Sequence, residues 1–349
     1  MWANPITLWR KGILGMNCRN VAYIGRYNPR ERYPFVDDKL LTKMVVRKVG
    51  VAAPELLLVI RLQHEVANIE RVLSDFTQFV IKPARGSGGK GILVIVGRDG
   101  DRLVKSSGSR LSVSDVKRHL SNIISGLYSL GGRDDVAFVE ALVTSDATFE
   151  HISYEGVPDI RLIVFKGYPV MGMLRLATKQ SDGKANLHQG AVGVGLDIAS
   201  GRGIAAVQFN RPVDRHPDTG APLSNIQVPH WRQLLSLAAR CYEVTRLGYL
   251  GADMVLDVNR GPLLLELNAR PGLTIQVAND RGLLPRLRHV ESLDELQHLT
   301  VEERIEYSVE HFAHAAGAQQ PSLWDGVEDL NAPPTRTDSE STTSNQPAN

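Results

Sequence analysis

Cysteine is nearly absent from this 349-residue chain. Cys18 and Cys241, the two present, lie far apart and outside any CxxC or His-flanked spacing, which excludes a disulfide framework and a zinc site. Both fit unpaired thiols in a reducing compartment. Long apolar runs are missing too: the longest, 51–60, is broken by Pro54 and Glu55, well short of the roughly 20 residues that span a bilayer. The N-terminus carries Trp2, Pro5, Trp9, Arg10 and Lys11 but no apolar signal core, so a cytoplasmic protein with no transmembrane segment is expected. Nor does one sign of charge dominate. The 40 Lys and Arg against 38 Asp and Glu leave +2, too weak a field to make nucleic acid the main partner.

What is present is an ordinary globular mixture, 43% hydrophobic and 22% charged, long enough for one large or two to three modest domains. Trp2, Leu8, Trp9, Ile13 and Leu14 could touch a membrane surface or a partner, although packing on the chain's own domain is the preferred reading of so short a stretch. Helices are predicted from Asp37 as N-cap through Leu40, Leu41, Met44 and Val45 to Gly50, over 112–130, and over 231–247. Extended runs are predicted at 78–82, 91–96, 102–105, 136–143, 159–165 and 170–178, with 252–258 and 262–267 joined as a hairpin by Asn259-Arg260-Gly261. Strands and helices cluster without βαβ alternation, so the class is α+β. From about 318 to 349 the chain is rich in Pro, Ser, Thr and Asn without apolar periodicity and is expected to be a disordered tail.

Two constellations carry chemistry. In 81–92, IKPARGSGGKGI, Gly86, Gly88 and Gly91 formally satisfy GxGxxG, but the β-branched run after them favours a strand over the helix a dinucleotide fingerprint needs. A Walker A loop is excluded because Ala84 stands at its first glycine and Gly91 follows the lysine. A kinase loop fails for want of HRD and DFG motifs. What remains is a Gly-rich hairpin flap able to lay backbone N–H groups on phosphates, with Lys82 as a point charge, or else an ordinary mobile hairpin. The second constellation is Asp253 followed by Glu266 and Asn268, which are two apart on a strand and so share a face. These hard oxygen donors suit Mg²⁺ shared with polyphosphate, or form the solvent face of an amphipathic strand.

Together, and in this order, the motifs resemble the ATP-grasp superfamily, within it the α-L-glutamate ligase-like group related to the ribosomal-protein glutamate ligase. The likeness runs from Asp38-Lys39 through Phe79-Val80-Ile81-Lys82-Pro83, Val139-Glu140-Ala141, Asp159-Ile160-Arg161, Asn186-Leu187-His188-Gln189-Gly190 and Gly251-Ala252-Asp253 to Glu266-Leu267-Asn268-Ala269-Arg270-Pro271-Gly272. It implies an ATP-grasp fold, two α+β subdomains gripping ATP between antiparallel sheets. Residues 1–36 would be an N-terminal extension and 37–315 the ATP-grasp domain, its flap subdomain about 55–140 and its catalytic subdomain about 141–290.

The resemblance also implies roles. Lys39 and Lys82 would hold phosphates, with Gly86, Ser87, Gly88, Gly89 and Gly91 closing over them. Glu140 and Ala141 match the hinge that meets adenine, Asp159 a ribose-side contact, and Lys184 and Asn186 a segment near the phosphates. Asp253, Glu266 and Asn268 match the ligands of Mg²⁺, or of Mn²⁺. Arg161, Arg175 and Arg270 stand as catalytic candidates for the γ-phosphate or a carboxylate, since a guanidinium fork suits both.

The implied reaction joins a carboxylate to an amine through an acylphosphate at the expense of ATP, with glutamate or another amino acid added to a peptide or small acceptor. A nucleotide-binding regulatory or scaffold module, or a phosphotransferase using the same site, are the alternatives. Only 38 residues precede Lys39, where such ligases usually carry a small α/β domain, so a partner protein could replace that domain, and oligomerisation stays open. Arg270 replaces a small residue of the ribosomal-protein ligase motif and Lys90 is additional, which suggests a more anionic or differently shaped substrate. His188 reads as a positioning residue more than a base, and Arg281, Arg286, Arg288 and His289 as a solvated face.

Overall fold

The computed structural model describes residues 5–86, 88–129, 131–293, 299–314 and 322–323. Thirteen strands form two antiparallel sheets. The first uses β1 (Leu56–Ile60), β2 (Phe79–Pro83), β3 (Leu93–Asp99), β4 (Arg102–Lys105), β5 (Arg110–Leu111) and β6 (Ala137–Glu140), in the order β1-β6-β2-β3-β4-β5. The second uses β7 (Asp159–Phe165), β8 (Tyr168–Leu176), β9 (Val192–Leu196), β10 (Gly203–Gln208), β11 (Arg211–Pro212), β12 (Tyr249–Asp257) and β13 (Gly261–Asn268), in the order β11-β10-β9-β8-β7-β12-β13. The helices that matter here are α1 (Pro5–Arg10), α2 (Lys39–Arg47), α3 (Val113–Ile124), α4 (Trp231–Thr245), α5 (Thr274–Ala278), α6 (Leu284–Glu291) and α7 (Val301–Phe312). This is the expected α+β architecture, and among the described residues no helix is long and apolar enough to cross a membrane.

Each sheet has one face for the core and one for the site, as the period of two requires. In β2, Phe79 and Ile81 are fully buried in a cluster with Val116, Leu120 and Ile123 of α3, leaving Lys82 on the other face. The spacing i, i+4, i+7 puts those three on one side of α3, and Ser112 caps the helix reciprocally with Asp115, worth about 1 kcal/mol. In β7, Ile160 and Leu162 enter the larger cluster with Leu234, Leu235 and Ala238 of α4, leaving Asp159 and Arg161 opposite.

Several boundaries differ from expectation for local reasons. The cap of α2 is Asp38, whose carboxylate accepts from Leu41 N–H, because Pro34–Asp37 forms a turn of its own. Met44 is 54% exposed and not part of the apolar stripe. Helix α3 stops at Ile124 and α4 at Thr245, earlier than the periodicity suggested. Arg286 is buried rather than solvated: it donates to Val170 O (2.6 Å) and Phe312 O (2.9 Å) and lies over the Phe312 ring.

The segment before α2 packs into the larger core, beside the second sheet. Leu14, Tyr23 and Ile24 join its core, Leu14 N–H donates to Gln276 (2.7 Å), and Asn28 donates to Tyr249 O (2.7 Å) while accepting from Tyr249 N–H (2.8 Å). Most of the expected disordered tail lies outside the described residues. The two that are described are docked: Lys11 Nζ donates to Ser322 O (2.7 Å), and buried Leu323 donates its N–H to Asp280 (2.6 Å). Cutting the chain after Gly317 is therefore expected to cost about 1–2 kcal/mol of stability, from one apolar side chain and two or three hydrogen bonds. A thermal melt of the truncated protein indistinguishable from the full chain would show that this docking contributes nothing.

Candidate functional site

The polar faces of the two sheets enclose a cleft of about 520 Å³. From the first sheet and its helix come Lys39, Lys82, Gly86, Gly88 and Gly89, with the additional Lys90. From the second come Asp159, Arg161, Arg175, Glu266 and Asn268, and from the loop before β9 come Lys184, Asn186 and His188. Ser87 lies outside the described residues.

The flap side is built by the β2–β3 hairpin. Gly88, Gly89 and Gly91 take φ of 61°, 75° and 76°, the left-handed region that glycine enters without strain. A side chain at Gly91 would meet the Tyr128 ring at 2.6 Å, and the His119 ring lies 3.0 Å from Gly91 O. Gly91 thus anchors the base of the flap on α3 instead of lining the cleft. Lys39, the first residue of α2, donates to Gly86 O (2.5 Å) and lies 3.9 Å from Glu266 of the other sheet, bridging the two walls.

Lys82 and Glu140 sit on neighbouring strands, in register pairs Lys82↔Phe138 and Val80↔Glu140, which places them diagonally on one face. Glu140 is 3% exposed and bonds both Lys82 and Lys43, the latter at 2.8 Å. Burial pushes its carboxyl up, but the two ammonium groups outweigh that and hold it below the ordinary value. Burial lowers Lys43, with Glu140 opposing. Lys43 also donates to Pro54 O (2.6 Å). Neither Glu140 nor Ala141 lines the cleft, and Ala141 N–H is taken by Glu55 O (2.9 Å). Sequence reading passed over Lys43; its signal is a lysine one helical turn after Lys39 on a helix side that is otherwise buried.

The other wall is a charge network spanning four strands. Register pairs Asp253↔Arg161, Asp253↔Glu266 and Asp159↔Arg175 align these side chains across β7, β8, β12 and β13. A bulge between Asp253 and Met254 accommodates Leu265 and lets Glu266 stand opposite Asp253. Asp253, 1% exposed, accepts from Arg161 Nε (2.7 Å) and a terminal Arg161 nitrogen (2.5 Å), and from Arg175 (2.9 Å). Burial would raise its carboxyl, but the two guanidinium groups hold it well below the ordinary range. Asp159 also bonds Arg175, through Nε at 2.7 Å, yet burial and the charge of Asp253 push it up to about 6. Of the two, Asp253 has the richer set of donors. Burial and then Asp253 raise Glu266, with Lys39 opposing.

The donor set fits a hard divalent cation at Glu266 and Asn268, both of which line the cleft. Asp253 stands behind them, its carboxylate already engaged by Arg161 and Arg175. Asn268 Oδ1 accepts from Arg270 N–H (2.8 Å), turning the chain so that the Arg270 guanidinium lies 5.3 Å over the Tyr33 ring, away from the cleft lining. Lys184 reaches the rim, paired with Asp182 (2.9 Å), and Asn186 caps the turn after it by accepting from His188 N–H (3.0 Å). Met173 and Thr274 also line the cleft and were not singled out from sequence; only their place in the fold reveals them.

A family model described as sugar-transfer associated ATP-grasp matches residues 18–292. No curated protein matches the chain. Among solved structures it is similar to the ATP-grasp ligase PsnB complexed with minimal precursor, at 13% identity and a TM-score of 0.41, over 76% of this chain and 63% of that one. The chain thus spans somewhat under two thirds of that relative's length. It is also similar to D-cycloserine synthetase DcsG (14% identity, TM-score 0.45, 78% of each chain). A third is D-alanine–D-alanine ligase from Bacillus anthracis complexed with ATP (14%, TM-score 0.39, 80% of this chain and 70% of that one).

Proposed function

The chain belongs to the sugar-transfer associated ATP-grasp family, and from that premise we propose that it is an ATP- and Mg²⁺-dependent carboxylate–amine ligase. The observation that carries the reading is the meeting of Lys39, Lys82, the flap glycines, Arg161, Arg175, Glu266 and Asn268 around one cleft. A carboxylate resists amine attack until one oxygen is phosphorylated; the amine then displaces phosphate and forms the amide. Two anions must first be brought together, and their repulsion is the main barrier this equipment answers.

In this reading Lys39 and Lys82 bind the phosphates, and the flap N–H groups close over them and exclude water. Arg175 and Arg161, held by Asp159 and Asp253, present fixed positive charge to the γ-phosphate and the acceptor carboxylate. Glu266 and Asn268 would hold Mg²⁺, with Asp253 behind them; the ion would supply charge neutralisation between the phosphoryl oxygens. No side chain acts as nucleophile, so positioning and electrostatics do the catalysis. Addition of glutamate or another amino acid to a peptide or small-molecule acceptor follows the narrower likeness to the glutamate ligases.

ADP release with ATP and Mg²⁺, measured against a panel of amino acids, small carboxylates and amines, tests the reading. Glu266→Gln is expected to lower the stimulated rate by roughly two orders of magnitude, while leaving the melting temperature of nucleotide-free protein unchanged, because among the described residues Glu266 has only Lys39, at 3.9 Å, as an ion-pair partner. Undiminished turnover in that variant would remove Glu266 from the metal site. Nucleotide binding with no stimulation by any carboxylate–amine pair would instead favour the regulatory module.

A further inference from the structure

Beside the cleft a second hollow of about 240 Å³ is lined by Leu187, His188, Val207, Phe209, Asn210 and Thr274. Leu187, His188 and Thr274 line the cleft as well, so a molecule seated in the hollow reaches the wall of the nucleotide site.

Phe209 is the feature that folding does not account for. The pairs Val207↔Pro212 and Gln208↔Arg211 leave Phe209 and Asn210 as a two-residue hairpin turn, with φ of 50° and 57°. A turn of that hand needs positive φ at both positions, which Asn adopts readily and Phe does not. The ring is also 47% exposed. Yet its place is defined. A carbon added to Gly190 would lie 2.7 Å from Phe209 Cζ, so the ring rests against that glycine. Gly190 O in turn accepts from Gln208 Nε2 (2.8 Å) and Thr178 Oγ1 (3.0 Å), clipping the turn to the loop that walls the cleft.

The lining holds no carboxylate, ammonium or guanidinium group. It offers one aromatic ring, two aliphatic side chains and the hydrogen-bonding groups of His188, Asn210 and Thr274. That combination suits a ligand with an apolar C–H face and a rim of hydroxyls. We propose that the hollow is the acceptor subsite and takes the pyranose ring of an uncharged glycosyl group, borne by the substrate whose carboxylate or amine reacts in the adjoining cleft, stacked on Phe209 with its hydroxyls on Asn210, His188 and Thr274. The word acceptor rests on the ligase reading above; the binding of the ring does not.

Saturation-transfer NMR on the full chain tests this, with and without AMPPNP and Mg²⁺. The probes are the methyl glycosides of β-glucose, β-galactose and N-acetyl-β-glucosamine, with sorbitol and phenylalaninamide as controls. At least one glycoside is expected to receive saturation at its ring protons, and sorbitol none. The signal should fall roughly five- to ten-fold in Phe209→Ala and return in Phe209→Tyr, as expected for loss and restoration of a stacking platform. Asn210→Gly, which relieves the turn and therefore folds, should weaken it too. No glycoside bound by the wild type, equal binding by Phe209→Ala, or phenylalaninamide preferred over every glycoside would each overturn the proposal. Calorimetry with AMPPNP separates the two readings: wild-type protein that fails to bind nucleotide loses the ligase reading, while the nucleotide-free glycoside comparison still decides the hollow.

Discussion

Asp253→Ala is expected to destabilise the nucleotide-free, metal-free protein by about 3–5 kcal/mol, the usual cost of leaving buried charges without their partner. The carboxylate accepts three guanidinium bonds, and its removal leaves Arg161 and Arg175, 12% and 13% exposed at their side chains, without that partner. A residue whose sole role is to hold a cation would behave differently: without the cation its loss is neutral or stabilising. Urea unfolding of the two variants side by side makes the distinction, with Glu266→Gln as the comparison. The pH dependence has a definite sign. Because the folded-state carboxyl of Asp253 lies below its ordinary value of 3.8, its contribution is complete above that pH and is lost as pH falls further. Wild-type-like unfolding of Asp253→Ala at pH 7 would show that the network does not hold the sheet together.

Glu140→Ala should be of similar size, about 3–5 kcal/mol, and should also weaken nucleotide binding. Its carboxylate is the shared partner of Lys43 and Lys82, both largely buried, and without it two ammonium groups face each other beneath the flap. Lys82 would then be free to swing, so the loss in ATP affinity should exceed tenfold, about 1.4 kcal/mol. Glu140→Ala combined with Lys43→Met, which removes the buried surplus charge, should recover much of the stability. Denaturant melts and calorimetric titration of the single and double variants check both halves. A double variant no more stable than the single one would mean that the cost lies in lost packing.

Most of the site was legible in the sequence because it sits on strands, where side chains two apart share a face and the hairpin at Asn259-Arg260-Gly261 sets the register. Glu266 opposite Asp253 follows from that hairpin, although the bulge at Leu265 does not. The likeness to ATP-grasp proteins brought Lys39, Lys82 and the flap to the same place. Other features depend on contacts that no local pattern encodes. Arg270 carries the right chemistry but is turned onto Tyr33 by the Asn268 side chain. Glu140 reads as a polar residue ending an apolar run, and only the fold shows two lysines converging on it. Strand β1, Leu56-Leu57-Leu58-Val59-Ile60, was missed because Pro54 reads as an exit, and its pairing partner β6 begins 77 residues further on than Ile60, at Ala137. Strand β10 lay hidden in a span without alternation, and α7 beyond the motifs altogether.

On the cleft floor Asp159 and Asp253 offset much of the charge of Arg175 and Arg161. The pull on an incoming polyanion therefore comes chiefly from lysines of the flap side and rim, Lys39, Lys82, Lys90 and Lys184. Of these, Lys90 and Lys184 are exposed, and such groups are screened over about 8–10 Å at physiological salt. The speed of nucleotide capture should consequently fall with ionic strength, whereas departure, governed by contacts already desolvated, should respond far less. An uncharged occupant of the neighbouring hollow would be indifferent to salt in both directions, so a simple salt series would tell the arrival of one substrate from that of the other.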